Sequence, residues 1–454
     1  MQLDLTQGKI SKRLLMFAFP LMLGNLLQQF YNIADTLIVG RFLGANALAA
    51  VGSSYTLMVF LTSIILGLCM GSSAYFSILY GRKAIDELKN SFFLSFLLIG
   101  AVSLILNLLV YLFVDEIMML LHIPNEIYSM MQSYLLWIFA GMSATFLYNY
   151  FANLLRAVGN SMAPLLFLAI SAILNILLDL LFVLVFAWGV EGAAIATVLS
   201  QYVSGIGIML YFLIYRKELH IQKQHRRWNK QIMYKLGSFS FYTCLQQSVM
   251  NLGILAVQGL VNSFGTIIMA AFAAGVKIDS FAYMPVQDYG NAFSTFIAQN
   301  YGAGKKERIQ KGIRSSLAAV FCFTTIISIL VCTFAKELIC IFVAAEETKI
   351  VAAGVHYLRI EASFYFGIGL LFLLYGYYRA IELPQMSVIL TVLSLGTRVL
   401  LAYVLSATAL NVSGIWLAVP IGWVLADIYG VLYYWRRCKQ QYKSIWHHEK
   451  LMYK

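Results

Sequence analysis

The sequence has too few charged residues for a soluble protein. Asp, Glu, Lys and Arg make up only 11% of the 454 residues, whereas 61% are hydrophobic. Soluble domains contain roughly 25% charged and roughly 45–50% apolar residues. This scarcity of charge excludes an ordinary soluble enzyme or binding domain. The chain instead has about a dozen apolar stretches, each with the roughly 20 residues that a transmembrane helix needs.

Motifs for nucleotide hydrolysis, proteolysis and metal binding are also missing. The stretch Gly302-Ala-Gly-Lys305 lacks the first glycine of a phosphate-binding loop, and Lys306 stands where that loop needs Ser or Thr. There is no H-E-x-x-H motif, and the six cysteines show no C-x-x-C spacing. The cysteines therefore indicate neither a metal site nor a disulfide framework. We expect a protein that is not an enzyme, holds no cofactor and is not driven by its own ATP hydrolysis.

Basic residues are nearly absent from every second loop between the apolar stretches. Twenty-six of the 32 Lys and Arg residues fall on one side, and only Arg41, Lys336 and Lys349 fall on the other. This positive-inside pattern predicts an even number of spans with both termini in the cytoplasm. It also accounts for the net charge of +12 without nucleic-acid binding. The longest basic run, 216–235, is expected to be a cytoplasmic linker.

Twelve membrane spans follow from the apolar stretches, and they predict an all-α integral membrane protein. Pro20 and Pro285 are expected to interrupt the first and eighth spans, where buried neighbours can satisfy the freed carbonyls. The predicted spans lie near residues 13–40, 47–79, 88–114, 126–152, 161–187, 190–214, 233–261, 266–301, 311–335, 350–378, 384–408 and 412–436.

The second half of the chain faintly repeats the first. Short matches occur in the same order at shifts of 218 to 223 residues: Leu27-Gln28-Gln29 with 245–247, Tyr80-Gly81 with 301–302, and Arg156-Ala157 with 379–380. The repeat predicts two pseudo-symmetric six-helix lobes, an N-lobe of residues 1–215 and a C-lobe of residues 236–454 with a basic cytoplasmic tail. Internal repeats of this kind are typical of transporters that alternate access between two lobes.

Two acidic residues of the predicted N-lobe lie inside spans, where charge is costly and usually functional. Asp35 lies in the first span and Asp179 in the fifth, with Asn175 four residues earlier on the same helix face. Thr197 lies in the sixth span. All four fall roughly 7–20 Å below the outer surface, so one cluster is possible. Carboxylate, amide and hydroxyl oxygens suit either a proton or Na⁺. The alternative is an internal hydrogen-bond network that holds these spans together.

The predicted C-lobe lacks this cluster and has a different set of charges. The positions that match Asp35, Asn175, Asp179 and Thr197 hold Gly253, Arg398, Ala402 and Val419. We therefore expect the coupling ion to bind in the N-lobe only. Five charges of mixed sign near mid-depth favour a compensated ion-pair network, with substrate contact or proton relay as the alternative. These residues are Lys277, Asp279, Arg359, Glu361 and Arg398.

Four segments together resemble the MATE (multidrug and toxic compound extrusion) family, nearest its branch of small bacterial multidrug exporters. They are Pro20–Asp35 with Val39-Gly40, Leu154–Asn160, Gly189–Thr197 with Ser200-Gln201, and Ala298–Gly304. The resemblance implies twelve helices in two lobes and antiport of Na⁺ or H⁺ against drugs. In some members the cation site uses residues that match Asp35, Asn175, Asp179 and Thr197. Other members carry an acid in span seven, which this chain lacks.

The sequence therefore predicts an antiporter that exports amphipathic, cationic small molecules in exchange for Na⁺ or H⁺. We expect a monomer in the bacterial cytoplasmic membrane, with the lipid bilayer and a small-molecule substrate as its partners and no nucleic acid. The alternative is a flippase of lipid-linked saccharide in a related two-lobe fold. A flippase would need a cationic cavity for pyrophosphate, whereas the N-lobe charges are acidic.

Overall fold

The computed structural model describes residues 3–120 and 123–452. Within these ranges, the structure does not describe the side chains at positions 45, 56, 120, 254, 255 and 438–452. Most side chains of the predicted basic tail, which follows Arg436, are therefore not described.

The described part of the chain is α-helical and contains no β-strand. A π-helical segment, Leu180–Val185, extends α6, and two 3₁₀ turns lie in the linker. The helices are α1 Ile10–Phe42, α2 Ala45–Arg82, α3 Ile85–Leu120, α4 Asn125–Ala140, α5 Met142–Ala157, α6 Met162–Asp179, α7 Gly189–Tyr215, α8 Lys230–Asn262, α9 Thr266–Gly302, α10 Lys306–Thr333, α11 Ala335–Cys340, α12 Thr348–Ala362, α13 Tyr365–Ala380, α14 Pro384–Ser406 and α15 Val412–Met452.

Among the described residues, ten helical segments are long and apolar enough to cross a membrane, or twelve if each of two bent pairs is one span. The pairs are α4 with α5, bent by 42°, and α12 with α13, bent by 49°. The prediction of twelve spans is confirmed, and the helix bounds differ from the predicted ones by a few residues at most span ends. The short helix α11 was not predicted.

The predicted interruptions at Pro20 and Pro285 are wrong, because α1 and α9 continue through these residues. Bends of more than 40° occur in spans four and ten instead, and α3 has a kink at Phe113. A bend frees backbone carbonyls that need donors inside a membrane. Next to the α4–α5 bend, side chains of neighbouring helices supply these donors: Tyr111 to Leu136 O at 2.7 Å, Asn107 to Phe139 O at 2.7 Å, and Tyr202 to Ala140 O at 3.0 Å.

The contacts divide the chain into two compact units. Unit 1 comprises Met1–Ser248, Asn291–Ile313 and Arg379–Pro384, and unit 2 comprises Val249–Gly290, Arg314–Tyr378 and Gln385–Lys454. Unit 1 thus contains the predicted N-lobe and linker together with the ends of several helices from the second half of the chain. The lobe boundaries drawn from the sequence stay a prediction.

The basic linker predicted at 216–235 is fastened to the start of α3. Asn90 donates through its side-chain nitrogen to the carbonyls of His225 and Arg227, at 2.7 Å each. His225 is buried, and its Nε2 lies 3.0 Å from a carboxylate oxygen of Asp86. The basic linker is therefore ordered against the N-terminal half of the chain.

The first described residues form a strap, Leu3–Gly8, across one end of unit 1. The amide of Leu3 donates to the carbonyl of Gly159 at 2.9 Å. Asn300 donates to a strap carbonyl at 3.1 Å, and Arg308 makes four hydrogen bonds to strap carbonyls at 2.7–3.3 Å. The strap thereby connects the loop before α6 with the start of α10.

Candidate cation site

The structure brings the four predicted N-lobe site residues together. Helix α6, which carries Asn175 and Asp179, packs against both α1 and α7. Asp179 is fully buried, and Asn175 and Thr197 are only 2% and 8% exposed. The side-chain amide of Asn175 donates to the hydroxyl of Thr197 at 3.2 Å. Asp35, on α1, is close enough to Asp179 for the two carboxylates to interact electrostatically.

Hydrogen bonds fix α6 against α7 at this point. One turn below Asn175, the hydroxyl of Ser171 donates to the carbonyl of Ser200 at 2.9 Å. With the Asn175–Thr197 bond, this contact sets the register of the two helices. Asp179 is the last α-helical residue before the π-helical segment, whose wider turns often occur at functional sites. The change in helix type therefore coincides with the acid at the centre of the cluster.

The cluster presents oxygens that have no protein donor. Among the described residues, buried oxygens without a hydrogen-bond partner include Asp35 Oδ1, Asn175 Oδ1 and both carboxylate oxygens of Asp179. Buried carboxylate oxygens are unfavourable unless a proton, a donor or a cation satisfies them. Two carboxylates, an amide oxygen and a hydroxyl are hard ligands that suit Na⁺ as well as a proton. The residues present therefore fit a small cation.

Two tyrosines that the sequence analysis did not single out for the site face the same acids. Tyr134 of α4 is only 4% exposed, and it interacts electrostatically with Asp35 and Asp179, as does Tyr31 of α1. Tyr31 precedes Asp35 by four residues and so shares its helix face, a signal that could have identified it. The sequence spacing around Tyr134 gives no such signal. Tyr134 reaches the site only because α4 packs against other helices.

An apolar cluster covers the outer side of the site. Its members include Val39 on α1, Val183 on the π-helical segment, and Ala193 and Ala194 on α7, all of them buried. On these three segments the apolar residues lie about one turn nearer the outer end than the site residues. Asp179 is fully buried beneath this cluster, whereas Asp35 is partly exposed.

The structure brings together three of the five charges predicted for the C-lobe. Asp279 and Glu361 are buried and interact electrostatically with each other and with Arg398. The hydroxyl of Tyr365 donates to Asp279. The remaining two, Lys277 and Arg359, are exposed, and the ammonium group of Lys277 lies 5.7 Å from the centre of the Phe342 ring. The buried cluster therefore has two acids and one base and lies beside the bend of span ten.

The described part of the chain has no cluster of three or more His, Cys, Asp or Glu residues that could hold a metal ion. The N-lobe cluster is not of that kind, because two of its four residues carry an amide or a hydroxyl instead of a carboxylate.

Comparison with known proteins identifies the chain's relatives. The MatE family model matches twice, at residues 20–181 and 243–404, a shift of 223 residues that confirms the internal repeat. The probable multidrug resistance protein YpnP of Bacillus subtilis (strain 168) is 31% identical over 435 residues, which cover 95% of this chain and 96% of YpnP. The FAD transporter of Shewanella oneidensis is 24% identical over 440 residues, covering 93% of this chain and 94% of that protein.

A solved structure shares the fold over nearly the whole chain. It is described as "Crystal structure of MATE in the bent conformation", with a TM-score of 0.91, 22% identity, and coverage of 97% of this chain and 98% of that one. At this level of identity the likeness supports the fold and not the residues of the site.

Proposed function

Since the chain belongs to the MatE family of multidrug efflux transporters, we propose that it is a secondary antiporter that exports amphipathic, cationic small molecules in exchange for Na⁺ or H⁺. The family relationship makes it a multi-pass membrane transporter and not an enzyme. The coupling ion, the direction of exchange and the charge of the substrate belong to the proposal.

The group of unpaired buried oxygens around Asp179 carries this proposal. Buried acids with a structural role in a membrane need a base to balance their charge, as Arg398 does for Asp279 and Glu361. Among the described residues, no base interacts in this way with Asp35 or Asp179. Here Asp35, Asn175 and Asp179 all retain oxygens without a donor. Such a cluster is stabilised by a positive ion that arrives and leaves, which is the behaviour that coupling requires.

The proposed cycle begins when a cation from outside reaches Asp35 and Asp179. Its charge reduces the repulsion between the two carboxylates and draws α1, α6 and α7 together around it. The conformation that opens towards the cytoplasm then becomes favourable, the cation leaves, and substrate binds. One positive charge that moves inwards through 100 mV supplies about 2.3 kcal/mol, and a concentration gradient of the ion adds to this.

We assign the buried C-lobe cluster a structural role in this proposal. Arg398 compensates part of the charge of Asp279 and Glu361, and Tyr365 donates to Asp279. The cluster would hold together the helices around the bend of span ten. A proton relay is the alternative. If Glu361→Gln abolished H⁺-driven transport without loss of folded protein, the relay would replace the structural role.

The orientation and the setting are also proposed. The excess of basic residues in alternate loops supports cytoplasmic termini. The bacterial relative YpnP supports a bacterial chain, and hence the cytoplasmic membrane as its location. We propose a monomer as the functional form.

The test is efflux of ethidium from proteoliposomes that contain the purified chain, first under a Na⁺ gradient at equal pH and then under a pH gradient at equal Na⁺. We expect one gradient to drive efflux and Asp35→Asn to abolish it. Unchanged gradient-driven efflux by Asp35→Asn would overturn the coupling role.

Two further substrates in the same vesicles separate the rival functions. A lipid-linked saccharide tests the flippase, and FAD tests an anionic substrate, because one relative is named an FAD transporter. Transport of either one without transport of ethidium would contradict the proposed substrate class.

A further inference from the structure

Helices from both halves of the chain meet closely on the cytoplasmic side of unit 1. Gly71 on α2 lies so near α8 that a Cβ atom there would be 2.4 Å from the carbonyl oxygen of Phe239. The hydroxyl of Ser240, the next residue, donates to the carbonyl of Leu68 at 3.1 Å and lies 2.9 Å from the hydroxyl of Ser72. The two backbones are therefore in direct contact.

A second contact of this kind joins the end of α2 to the end of α9. A Cβ atom on Gly81 would lie 2.0 Å from the carbonyl oxygen of Gln299, and one on Gly302 would lie 2.0 Å from that of Ile78. Gly81 and Gly302 are repeat-related positions, in the Tyr-Gly pairs that recur along the chain. No other residue type fits at either position while these helix ends are in contact.

A three-residue ion cluster lies beside these contacts. A carboxylate oxygen of Glu382 is 2.7 Å from the guanidinium of Arg82, and its other oxygen is 3.4 Å from the ammonium group of Lys235. Arg82 ends α2, Lys235 lies near the start of α8, and Glu382 lies in the loop between α13 and α14. One carboxylate thus connects three elements that are distant in the sequence.

The backbone at Glu382 is unusual for its residue type. Its φ angle is +64°, in the left-handed region that only a few per cent of non-glycine residues adopt. The repeat places Gly159 at the equivalent position of the first half, where φ is +88°. The first half therefore meets the same backbone requirement with glycine, whereas the second half holds a glutamate there under strain. Strained residues of this kind cluster at active sites and switch regions.

We propose that Glu382 is a latch that keeps the cytoplasmic ends of the two halves shut until a cation from outside has bound, by binding Arg82 and Lys235 at the same time. The proposal rests on the alternating-access part of the proposed function. The carboxylate links the α13–α14 loop to both α2 and α8, and opening this side breaks the contact with Arg82. The glycine contacts allow the close approach, and the ion cluster makes it favourable.

Cys244 provides a reporter of this closure. It is only partly buried, and its backbone packs against Gly67 of α2. In a variant that keeps Cys244 as the sole cysteine, a membrane-impermeant maleimide applied to inside-out vesicles labels it faster when the cytoplasmic ends separate. We expect Glu382→Gln to raise the labelling rate about two- to fivefold, as suits a partly exposed ion cluster.

Three further variants separate the ion cluster from the fold of the loop. Glu382→Gly restores the residue of the first repeat and relieves the backbone strain, yet it should label as fast as Glu382→Gln. Arg82→Gln should also raise the labelling rate. The double variant Arg82→Gln with Glu382→Gln should label only slightly faster than either single variant, because the two residues share one contact. Glu307→Gln is the matched control, since Glu307 is an exposed acid at the start of α10, and it should label at the parent rate.

Labelling at the parent rate in Glu382→Gln and Glu382→Gly would overturn the latch. Fast labelling in Glu382→Gln with the parent rate in Glu382→Gly would overturn it as well, since the backbone of the loop would then be the cause. Ethidium efflux by the parent chain is measured in parallel. If the labelling pattern is as expected but no substrate is exported, the latch stands and the proposed substrate class fails.

Discussion

Replacement of Asp179 by Asn should abolish coupled transport and should not destabilise the protein. The carboxylate is fully buried, neither of its oxygens accepts a hydrogen bond from a described residue, and it interacts with Asp35. Asparagine has nearly the same shape, so no cavity forms. The substitution removes a buried charge and its repulsion with a second one, and it breaks no described hydrogen bond of the carboxylate.

The size of the stability change follows from the cost of membrane burial. Insertion scales assign roughly 2.5–3.5 kcal/mol to an acid at the centre of a transmembrane helix. Because the amide itself still needs partners, we expect Asp179→Asn to raise the free energy of unfolding by about 1–3 kcal/mol. Stability gained by removing a functional group at the expense of activity is a common trade-off.

The assay combines thermal unfolding of the purified protein in detergent with ethidium efflux from proteoliposomes. We expect a higher apparent Tm and no gradient-driven efflux. Asp115→Asn is the control, because Asp115 is an exposed acid near the end of α3 that accepts hydrogen bonds from Tyr128 at 2.8 Å and Gln132 at 2.7 Å. It should leave efflux unchanged. A clear fall in Tm for Asp179→Asn would show that the carboxylate holds the helices together, and it would refute the reasoning.

Three further predictions concern other contacts. Asn175→Ala removes the hydrogen bond to Thr197 and should lower the free energy of unfolding by about 1–3 kcal/mol. We expect a lower Tm, and an unchanged Tm would contradict this. Arg308→Ala removes four hydrogen bonds to the strap and should speed proteolysis near the N-terminus severalfold, whereas equal rates would show that the strap is held elsewhere. Glu361→Gln should leave Na⁺- or H⁺-driven efflux within about twofold of the parent if the C-lobe cluster is structural.

The spans and the clustering of the four N-lobe residues could be predicted because their signals are local. Twenty or more apolar residues in a row specify a span whatever surrounds them. Asn175 and Asp179 are four residues apart, so their shared face needs no knowledge of the fold. Asp35 and Thr197 required only a count of residues from the outer ends of their helices. The repeat, which the two family matches confirm, then showed that the second half has no copy of the cluster.

The bends could not be predicted because their causes lie on other helices. Proline suggested breaks in spans one and eight, yet those helices continue. Span four bends where Tyr202, far along the sequence, donates to the carbonyl of Ala140. The sequence around Gly141 contains no sign of that donor. Tyr134 escaped notice for the same reason, because the packing of α4 decides what it faces.

Depth in the membrane could be counted from the sequence, but the direction of a side chain around the helix could not. Lys277 and Asp279 lie two residues apart at similar depth, and the sequence analysis placed both in one network. Residues two apart point to different faces of a helix. In the structure Asp279 is buried beside Glu361, whereas Lys277 is exposed. The same argument separates Arg359 from Glu361.

The most direct test of the central claim is cation binding by the purified protein without substrate. Proton release and uptake are followed with a pH dye at low buffer strength, and Na⁺ binding is followed with ²²Na⁺, for the parent chain and for the variant with both Asp35→Asn and Asp179→Asn. The account predicts saturable binding of one of these ions by the parent chain and its loss in the double variant. Equal binding by the two proteins would contradict the account.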